Sequence, residues 1–314
     1  MKRLAVVGCG AFGRHHLRVI RDSHHAELVA AVDADAARVA AAAGEFGCAA
    51  YSDWQELVGK VDAAVVAVPT VAHAEVGCGL LEAGIDVLIE KPIAADLESA
   101  RRLLAAAGNG RILQVGHLER FNPAVIALEK AVRQPLFFEI HRMSVFSPRS
   151  LDVDVVLDLM IHDLDIVLAL TAEMPSEIRA AGLNILSDKV DIANVRLTFP
   201  GGCVANLTAS RVSTERVRKL RLFQPHQYLS VDYSRQDGAV FSVSEERQIG
   251  FQPLAVAKDE PLRLQWESFL ECLETRAAPR VGGPEALRVL EVSLAILDKI
   301  KEHATVVAAA LAKQ

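Results

Sequence analysis

Leu4-Ala5-Val6-Val7-Gly8-Cys9-Gly10-Ala11-Phe12-Gly13 is the stretch that decides the fold. An apolar run of strand type ends at the pattern GxGxxG and passes directly into helical sequence. Each glycine has a separate task. Gly8 permits a tight turn, Gly10 lets the backbone approach a pyrophosphate, and Gly13 lets the helix pack on the strand. Ala11 and Phe12 open that helix, whose N-terminus offers unpaired N–H groups and a partial positive charge to phosphates. Roughly twenty residues later Asp33 closes a second apolar run, where a carboxylate accepts from ribose hydroxyls. Such a carboxylate repels a 2′-phosphate, so NAD is expected over NADP, with Arg38, one turn on, pulling the other way.

Outward from this turn, short β-rich runs alternate with helical ones. Strand sequence over 28–32, 63–68, 87–90 and 112–115 is interleaved with helical sequence over 12–22, 36–46, 72–83 and 96–107. This rhythm predicts a parallel sheet with helices on both faces, and Gly44, Gly84 and Gly108 fall where helix C-caps are expected. After Gly116 the pattern changes. A helix over 123–132 precedes a strand over 136–145 and a helix of about five turns over 153–170. Extended segments follow over 177–186, 192–199, 203–213, 217–223, 228–233 and 239–243, with Pro200-Gly201-Gly202 as a hairpin turn. Strands without intervening helices predict a mostly antiparallel sheet. Helices over 262–275 and 284–301 close the chain. The expected fold is α/β: residues 1–119 a Rossmann domain that binds NAD(P), residues 120–314 an α+β domain built on a mostly antiparallel sheet.

Composition narrows the function. At 314 residues, with 51% hydrophobic and 24% charged residues, the chain suits two globular domains. A net charge of −6 argues against a nucleic-acid partner; the one basic cluster, Arg211 to Arg221, reads as a solvated strand face or a phosphate contact. No stretch reaches the ~18 apolar residues of a membrane span. Met1-Lys2-Arg3 before an apolar run looks like a signal peptide, but the run stops at glycines within a few residues. Five scattered cysteines without CxxC spacing fit reduced thiols, and a cytoplasmic protein is expected.

Two further constellations carry chemistry. Glu90-Lys91-Pro92 ends the apolar run Val87-Leu88-Ile89. Ligands of open α/β sheets sit beyond the carboxyl ends of the strands, so Lys91 is placed to move protons beside a cofactor. Asp158 and His162, spaced i, i+4 in apolar helical sequence, share one face of a regular helix. Imidazole titrates near neutrality and can take a hydroxyl proton while hydride leaves carbon; Asp158 can orient it or bind a substrate hydroxyl. A metal site from Asp158, His162 and Asp165 lacks a further strong ligand nearby, and no metal is expected. His15-His16 and His24-His25 read as solvated helix residues. His73 opens a helix beyond a strand end, where cofactor contact and a plain helix-start residue are alternatives.

GCGAFGRHH, Asp33, PTVAH (Pro69–His73), EKP and D-x-x-x-H-x-x-D (Asp158, His162, Asp165) occur in an order that resembles the Gfo/Idh/MocA oxidoreductase family. The resemblance covers essentially the whole chain. It implies NAD(P)-dependent oxidation or reduction of a sugar or cyclitol carbon. It also implies an open sheet that mediates assembly, as a homodimer or homotetramer. Lys91 and His162 become acid/base candidates with Asp158 as helper, and Pro69, Thr70, His73, Glu90 and Lys91 become cofactor contacts. Gly116-His117-Leu118-Glu119-Arg120-Phe121-Asn122-Pro123 and Val156–Asp163 resemble the branch that oxidises the C3 hydroxyl of UDP-N-acetylglucosamine. In that branch a PLP aminotransferase next makes the 3-amino sugar of lipid A. On this reading Arg120, Asn122 and Arg149 contact the nucleotide sugar, alongside Lys91, Asp158 and His162; bridging between domains is the alternative. The competing functions are a dehydrogenase of a free aldose or inositol, and a non-catalytic NAD sensor or scaffold.

Overall fold

The computed structural model describes residues 1–146 and 153–311. Strands β1 (Lys2–Val7), β2 (Ala26–Val32), β3 (Ala49–Tyr51), β4 (Ala63–Val66), β5 (Asp86–Glu90) and β6 (Leu113–Gly116) form one sheet in the order β3-β2-β1-β4-β5-β6. Every pair in it is parallel. Parallel neighbours require crossovers, and α1 (Ala11–Arg21), α2 (Ala36–Phe46), α3 (His73–Glu82) and α4 (Leu97–Ala107) supply four of them. All four residues of β4 are buried, which is why the strand reads as a continuous apolar run. The strand order reverses between β1 and β4, the switch point where such sheets bind ligands. Gly108 caps α4 at positive φ, as expected, whereas Ala83 caps α3 and Gly84 (φ 88°) stands one residue beyond it. Gly44 instead lies inside α2, which ends at left-handed Gly47 (φ 72°); the real cap stands three residues on. β3, only three residues long, carries too little pattern to be anticipated.

The second sheet has eight strands. They are β7 (Phe137–Val145), β8 (Glu177–Leu183), β9 (Ile192–Thr198), β10 (Val204–Ser213), β11 (Val217–Gln224), β12 (Gln227–Asp232), β13 (Asp237–Val243) and β14 (Ile249–Pro253), ordered β14-β13-β12-β11-β7-β10-β9-β8. All pairs are antiparallel except β7 with β10. Strand alternation divides the faces. In β11, Leu220, Leu222 and Gln224 are buried while Lys219, Arg221 and Phe223 are exposed. Across the exposed side runs a ladder of rings, Phe137, Phe223, Tyr228, Phe241 and Phe251, with successive centroids 5.9, 4.9, 5.4 and 5.2 Å apart. Every residue of β14 is exposed; it lacks the alternation that identifies a half-buried strand, so its sequence does not announce it.

Helix α5 (Pro123–Ala131) precedes β7. The expected helix over 153–170 is two kinds of turn: a π-helical stretch, Val156–Met160, continued by α6 (Ile161–Thr171). A π turn takes more residues than an α turn, and the change of winding falls between Asp158 and His162, which a four-residue spacing still leaves on one side of the helix. Helix α7 (Pro261–Thr275) is followed by α8 (Gly283–Leu311). By compactness the chain forms two units, Met1–Leu118 with Glu260–Leu290, and Glu119–Asp259 with Glu291 onward. This grouping differs from division in sequence order, because α7 belongs with the parallel sheet. Its Trp266, Phe269, Leu270 and Leu273 share a core with Leu4, Val6, Leu17 and Ile20. Full burial of each large apolar side chain stabilises by about 1.5–3 kcal/mol, enough to hold the returning segment. Among the described residues no helix is long and apolar enough to cross a membrane.

Candidate active site

The glycine turn at the end of β1 divides its tasks as its spacing predicts. Gly8 adopts φ +99°, and a Cβ there would lie 2.5 Å from the Ala67 carbonyl oxygen. A Cβ on Gly13 would lie 1.7 Å from the Gly8 carbonyl oxygen; strand and helix touch backbone to backbone. A Cβ on Gly10 would meet no atom within 4 Å, so Gly10 borders open space rather than protein. Helix α1 starts at Gly10 with no side-chain cap and no acidic residue in its first turn. Its N–H groups are those a phosphate would otherwise complete.

Asp33 stands at the neighbouring strand end, 9% exposed. One oxygen accepts from Cys9 N–H (2.8 Å), the other from Asp35 N–H (2.9 Å). Arg38 Nη1 lies 3.2 and 3.3 Å from the two oxygens and Nη2 3.3 Å from Asp35. The guanidinium is thus already engaged by two carboxylates. Gly8, Gly10, Ala11, Phe12, Asp33, Arg38 and Pro69 line a cavity of about 980 Å³ with Trp54, Val68 and Ala72. Its shape and donors suit a dinucleotide: backbone N–H groups for the pyrophosphate, a fixed carboxylate for a ribose. Trp54, just beyond the short β3, was not legible as a lining residue. Burial pushes the Cys9 thiol up to about 11, consistent with a turn residue and not a thiolate.

The remaining candidates from this unit lie outside the cavity wall. Thr70 begins a short 3-10 turn, Thr70–Ala72. His73, 1% exposed, presents Nδ1 to the Pro92 carbonyl (2.9 Å) and Nε2 to the Val68 carbonyl (3.0 Å). Both nitrogens point at backbone carbonyls, only one of which a neutral ring can serve as donor, so the ring faces the loops after β4 and β5 and the expected direct cofactor contact gives way. Burial drives its pKa below the ordinary histidine value, against the raising pull of those carbonyls and Glu90. Glu90 likewise turns inward: Oε1 is 2.7 Å from His16 Nε2 and Oε2 accepts from Lys91 N–H at 3.3 Å. His16 is 1% exposed and not the solvated helix residue its sequence suggested, whereas His15, His24 and His25 are exposed. Lys91 itself is half-buried.

In the second unit, half-buried Asp158 lies in the π stretch and half-buried His162 in the first turn of α6. The next residue, Asp163, is 2% exposed. Arg142, 1% exposed, donates to it from Nε (2.7 Å) and Nη2 (2.8 Å), and to Glu119 from Nη1 (2.9 Å). Burial alone would raise the Glu119 pKa, but Arg142, Arg218 and Asn122 hold it below the ordinary value. Sequence reasoning missed this network. Its signal was the phase of β7, where Phe138, Ile140 and Arg142 all point inward.

Asn122 caps α5 by accepting from Ala124 N–H and donates to Glu119 (3.0 Å) and the Tyr233 carbonyl (3.1 Å). At 3% exposure its amide is consumed inside the unit, which corrects the expectation of a substrate contact. Arg120, 11% exposed, pairs with Glu129 (3.2 Å) and Asp165 (3.4 Å), so it too bridges within the unit. Arg149 lies outside the described residues. Among the described residues no group of three or more His, Cys, Asp or Glu side chains is arranged to hold a metal ion.

The sequence model of the Gfo/Idh/MocA oxidoreductase family, NAD-binding Rossmann fold, matches residues 2–117, and that of the GFO/IDH/MocA C-terminal domain matches residues 125–225. UDP-N-acetylglucosamine 3-dehydrogenase of Acidithiobacillus ferrooxidans is 36% identical over 94% of this chain and 96% of its own. The chain belongs to the Gfo/Idh/MocA oxidoreductase family. A solved structure of the Acidithiobacillus enzyme superposes with a TM-score of 0.91 at 34% identity, over 96% of this chain and 98% of that one. Inositol 2-dehydrogenase of Rhizobium meliloti is 30% identical over 68% of this chain and 69% of its own. Family membership makes the protein an oxidoreductase with an NAD-binding Rossmann domain, as the motif order implied.

Proposed function

We propose that the protein oxidises the C3 hydroxyl of UDP-N-acetylglucosamine to a ketone with NAD. The observation that carries the substrate is the 36% identity to a UDP-N-acetylglucosamine 3-dehydrogenase over 94% of the chain, which takes in the second unit as well as the Rossmann unit. Asp33 supports NAD over NADP: its buried carboxylate meets a ribose diol well and a 2′-phosphate badly. Arg38, held by Asp33 and Asp35, is not available as a phosphate partner without breaking those pairs. NAD bound in the cavity supplies the hydride acceptor.

In this reading His162 takes the C3 hydroxyl proton as the carbon loses hydride, so the alcohol becomes a ketone and the ring one proton richer. Asp158 orients His162, and Lys91 holds the reacting oxygen. The ketone is a substrate for a PLP aminotransferase, which would complete a 3-amino sugar for lipid A. We assign the reaction to the cytoplasm, in keeping with five free thiols. The ring ladder on the outer side of the eight-stranded sheet, with Phe223 and Phe251 exposed, favours a homodimer or homotetramer, since contiguous exposed apolar surface marks interaction sites.

The test is turnover of UDP-N-acetylglucosamine, free N-acetylglucosamine and myo-inositol with NAD or NADP, followed by NADH absorbance and mass spectrometry of the ketone. Equal rates on the free and nucleotide-linked sugars would sink the nucleotide reading, and faster inositol oxidation would replace it with the cyclitol one.

A further inference from the structure

We propose that His16 and His73 are positioning residues for Lys91, two buried histidines that clamp the Glu90-Lys91-Pro92 step at its two ends. The proposal rests on the reading of Lys91 as the group that holds the reacting oxygen. β5 ends at Glu90, so Lys91 leaves the sheet just where ladder hydrogen bonds stop supporting the backbone.

At the first end, Glu90 Oε2 accepts the Lys91 N–H (3.3 Å) while Oε1 takes His16 Nε2 (2.7 Å). The carboxylate also lies against Gly116, where a Cβ would be only 2.9–3.0 Å from it. A larger residue there would push Glu90 out of place. At the second end, His73 Nδ1 meets the Pro92 carbonyl (2.9 Å). Its other nitrogen meets the Val68 carbonyl (3.0 Å), on the loop that lines the dinucleotide cavity. His16 projects from α1, the helix whose N-terminus faces the phosphate site. Lys91 is therefore braced against the two segments that would bind the cofactor.

His16 and His73 each place one ring nitrogen on this single three-residue step. Imidazole suits the task because it is short, rigid and able to donate without bringing an obligatory charge. Fixing a reacting group to within a fraction of an ångström is what this kind of support provides.

The experiment uses the full chain as His16→Phe, His16→Gln and His73→Phe variants, each alone and with Lys91→Met. Three quantities are read: kcat for UDP-N-acetylglucosamine with NAD, NADH affinity by fluorescence titration, and trace acetylation of Lys91 by acetic anhydride. The last is measured by peptide mass spectrometry against exposed Lys258. His16→Phe and His73→Phe are expected to lower kcat roughly tenfold to a hundredfold with NADH affinity within about threefold. Lys91 acetylation should rise several-fold, His16→Gln should recover most of the rate, and no further loss should appear on Lys91→Met. Folded His16→Phe with wild-type kcat and wild-type Lys91 acetylation overturns the clamp, as does an equal loss in the Lys91→Met background. If the wild type leaves UDP-N-acetylglucosamine untouched, the substrate reading fails and acetylation alone decides the clamp. If His16→Phe does not fold, Glu90→Gln, which keeps the shape and weakens the link, must raise Lys91 acetylation or the clamp is refuted.

Discussion

Arg142 grips Asp163 through two hydrogen bonds, of 2.7 and 2.8 Å, with both side chains removed from solvent. The arrangement fastens β7 to the first turn of α6 at the residue after His162. Where that helix is pinned sets the direction in which His162 projects.

Removing one partner of such a pair leaves an uncompensated buried charge. Arg142→Met is expected to lose about 3–5 kcal/mol of stability, measured by urea unfolding. Arg142→Met with Asp163→Leu removes one charge of each sign and keeps the Glu119–Arg218 contact (3.3 Å), so it should regain most of that loss. A single-variant loss under about 1 kcal/mol would mean the network is solvated and contributes little.

The glycine turn separates folding from binding. Gly13→Ala drives a methyl into the Gly8 carbonyl, so the melting temperature should fall sharply and NADH binding with it. Gly10→Ala meets no protein atom, so its melting temperature should stay near wild type while NADH affinity drops at least about tenfold, the methyl standing where a pyrophosphate approaches. Fluorescence titration and thermal melts on the two variants check the contrast; parallel losses in both would remove the phosphate site from Gly10.

Lys91→Met keeps a long unbranched side chain, one atom shorter, and deletes its charge. NADH affinity should hold, while kcat for the sugar falls by about a hundredfold or more, the range of a lost acid/base or oxyanion-holding group. Undiminished turnover would reassign the chemistry to His162 alone.

How far the sequence was legible depended on whether a residue's neighbours along the chain carried its reason. Gly8, Gly13 and Asp33 impose backbone and strand-end demands that spacing alone exposes, so the Rossmann unit could be read from its first turn. His16 was misread because its neighbour His15 suggested a solvated pair. The better signal was its place in the buried stripe Gly13, His16, Leu17, Ile20 of α1, whose spacing matches one helical face. Asn122 reads as a substrate ligand only through the resemblance of residues 116–123 to one branch of the family, yet its partners Glu119 and the Tyr233 carbonyl include one more than a hundred residues away. The π stretch over Val156–Met160 has no residue pattern of its own. Helix α7 returns to the first unit through contacts of Trp266 and Phe269 that only three dimensions reveal.

Asp33 should govern cofactor choice. Asp33→Ser removes the carboxylate that faces a ribose and frees Arg38 from one of its two partners. The kcat/KM for NAD is expected to fall roughly tenfold or more while that for NADP rises, read from initial rates with each cofactor. A proportional loss with both would show that Asp33 matters chiefly as the acceptor for Cys9 and Asp35 N–H.

His73 gives the pH dependence of stability a specific source. Burial holds its pKa below the ordinary 6.5, so the folded protein keeps the ring neutral where the unfolded chain has already begun to protonate it. The unfolded state then binds more protons, and stability rises with pH across that window. The contribution is fully present above about 6.5, the unfolded histidine value, and is lost as pH falls through the lower folded value. The facing groups are the Pro92 and Val68 carbonyls, which a protonated ring would satisfy together, and Glu90; these limit the loss without reversing it. His73→Gln cannot titrate and retains a donor and an acceptor. Between pH 7.5 and pH 5 the melting temperature of the wild type should therefore fall further than that of His73→Gln, the other ionisable groups being common to both. A wild type that gains on the variant as pH drops would mean that His73 is an imidazolium bridging both carbonyls, with its folded pKa raised rather than lowered.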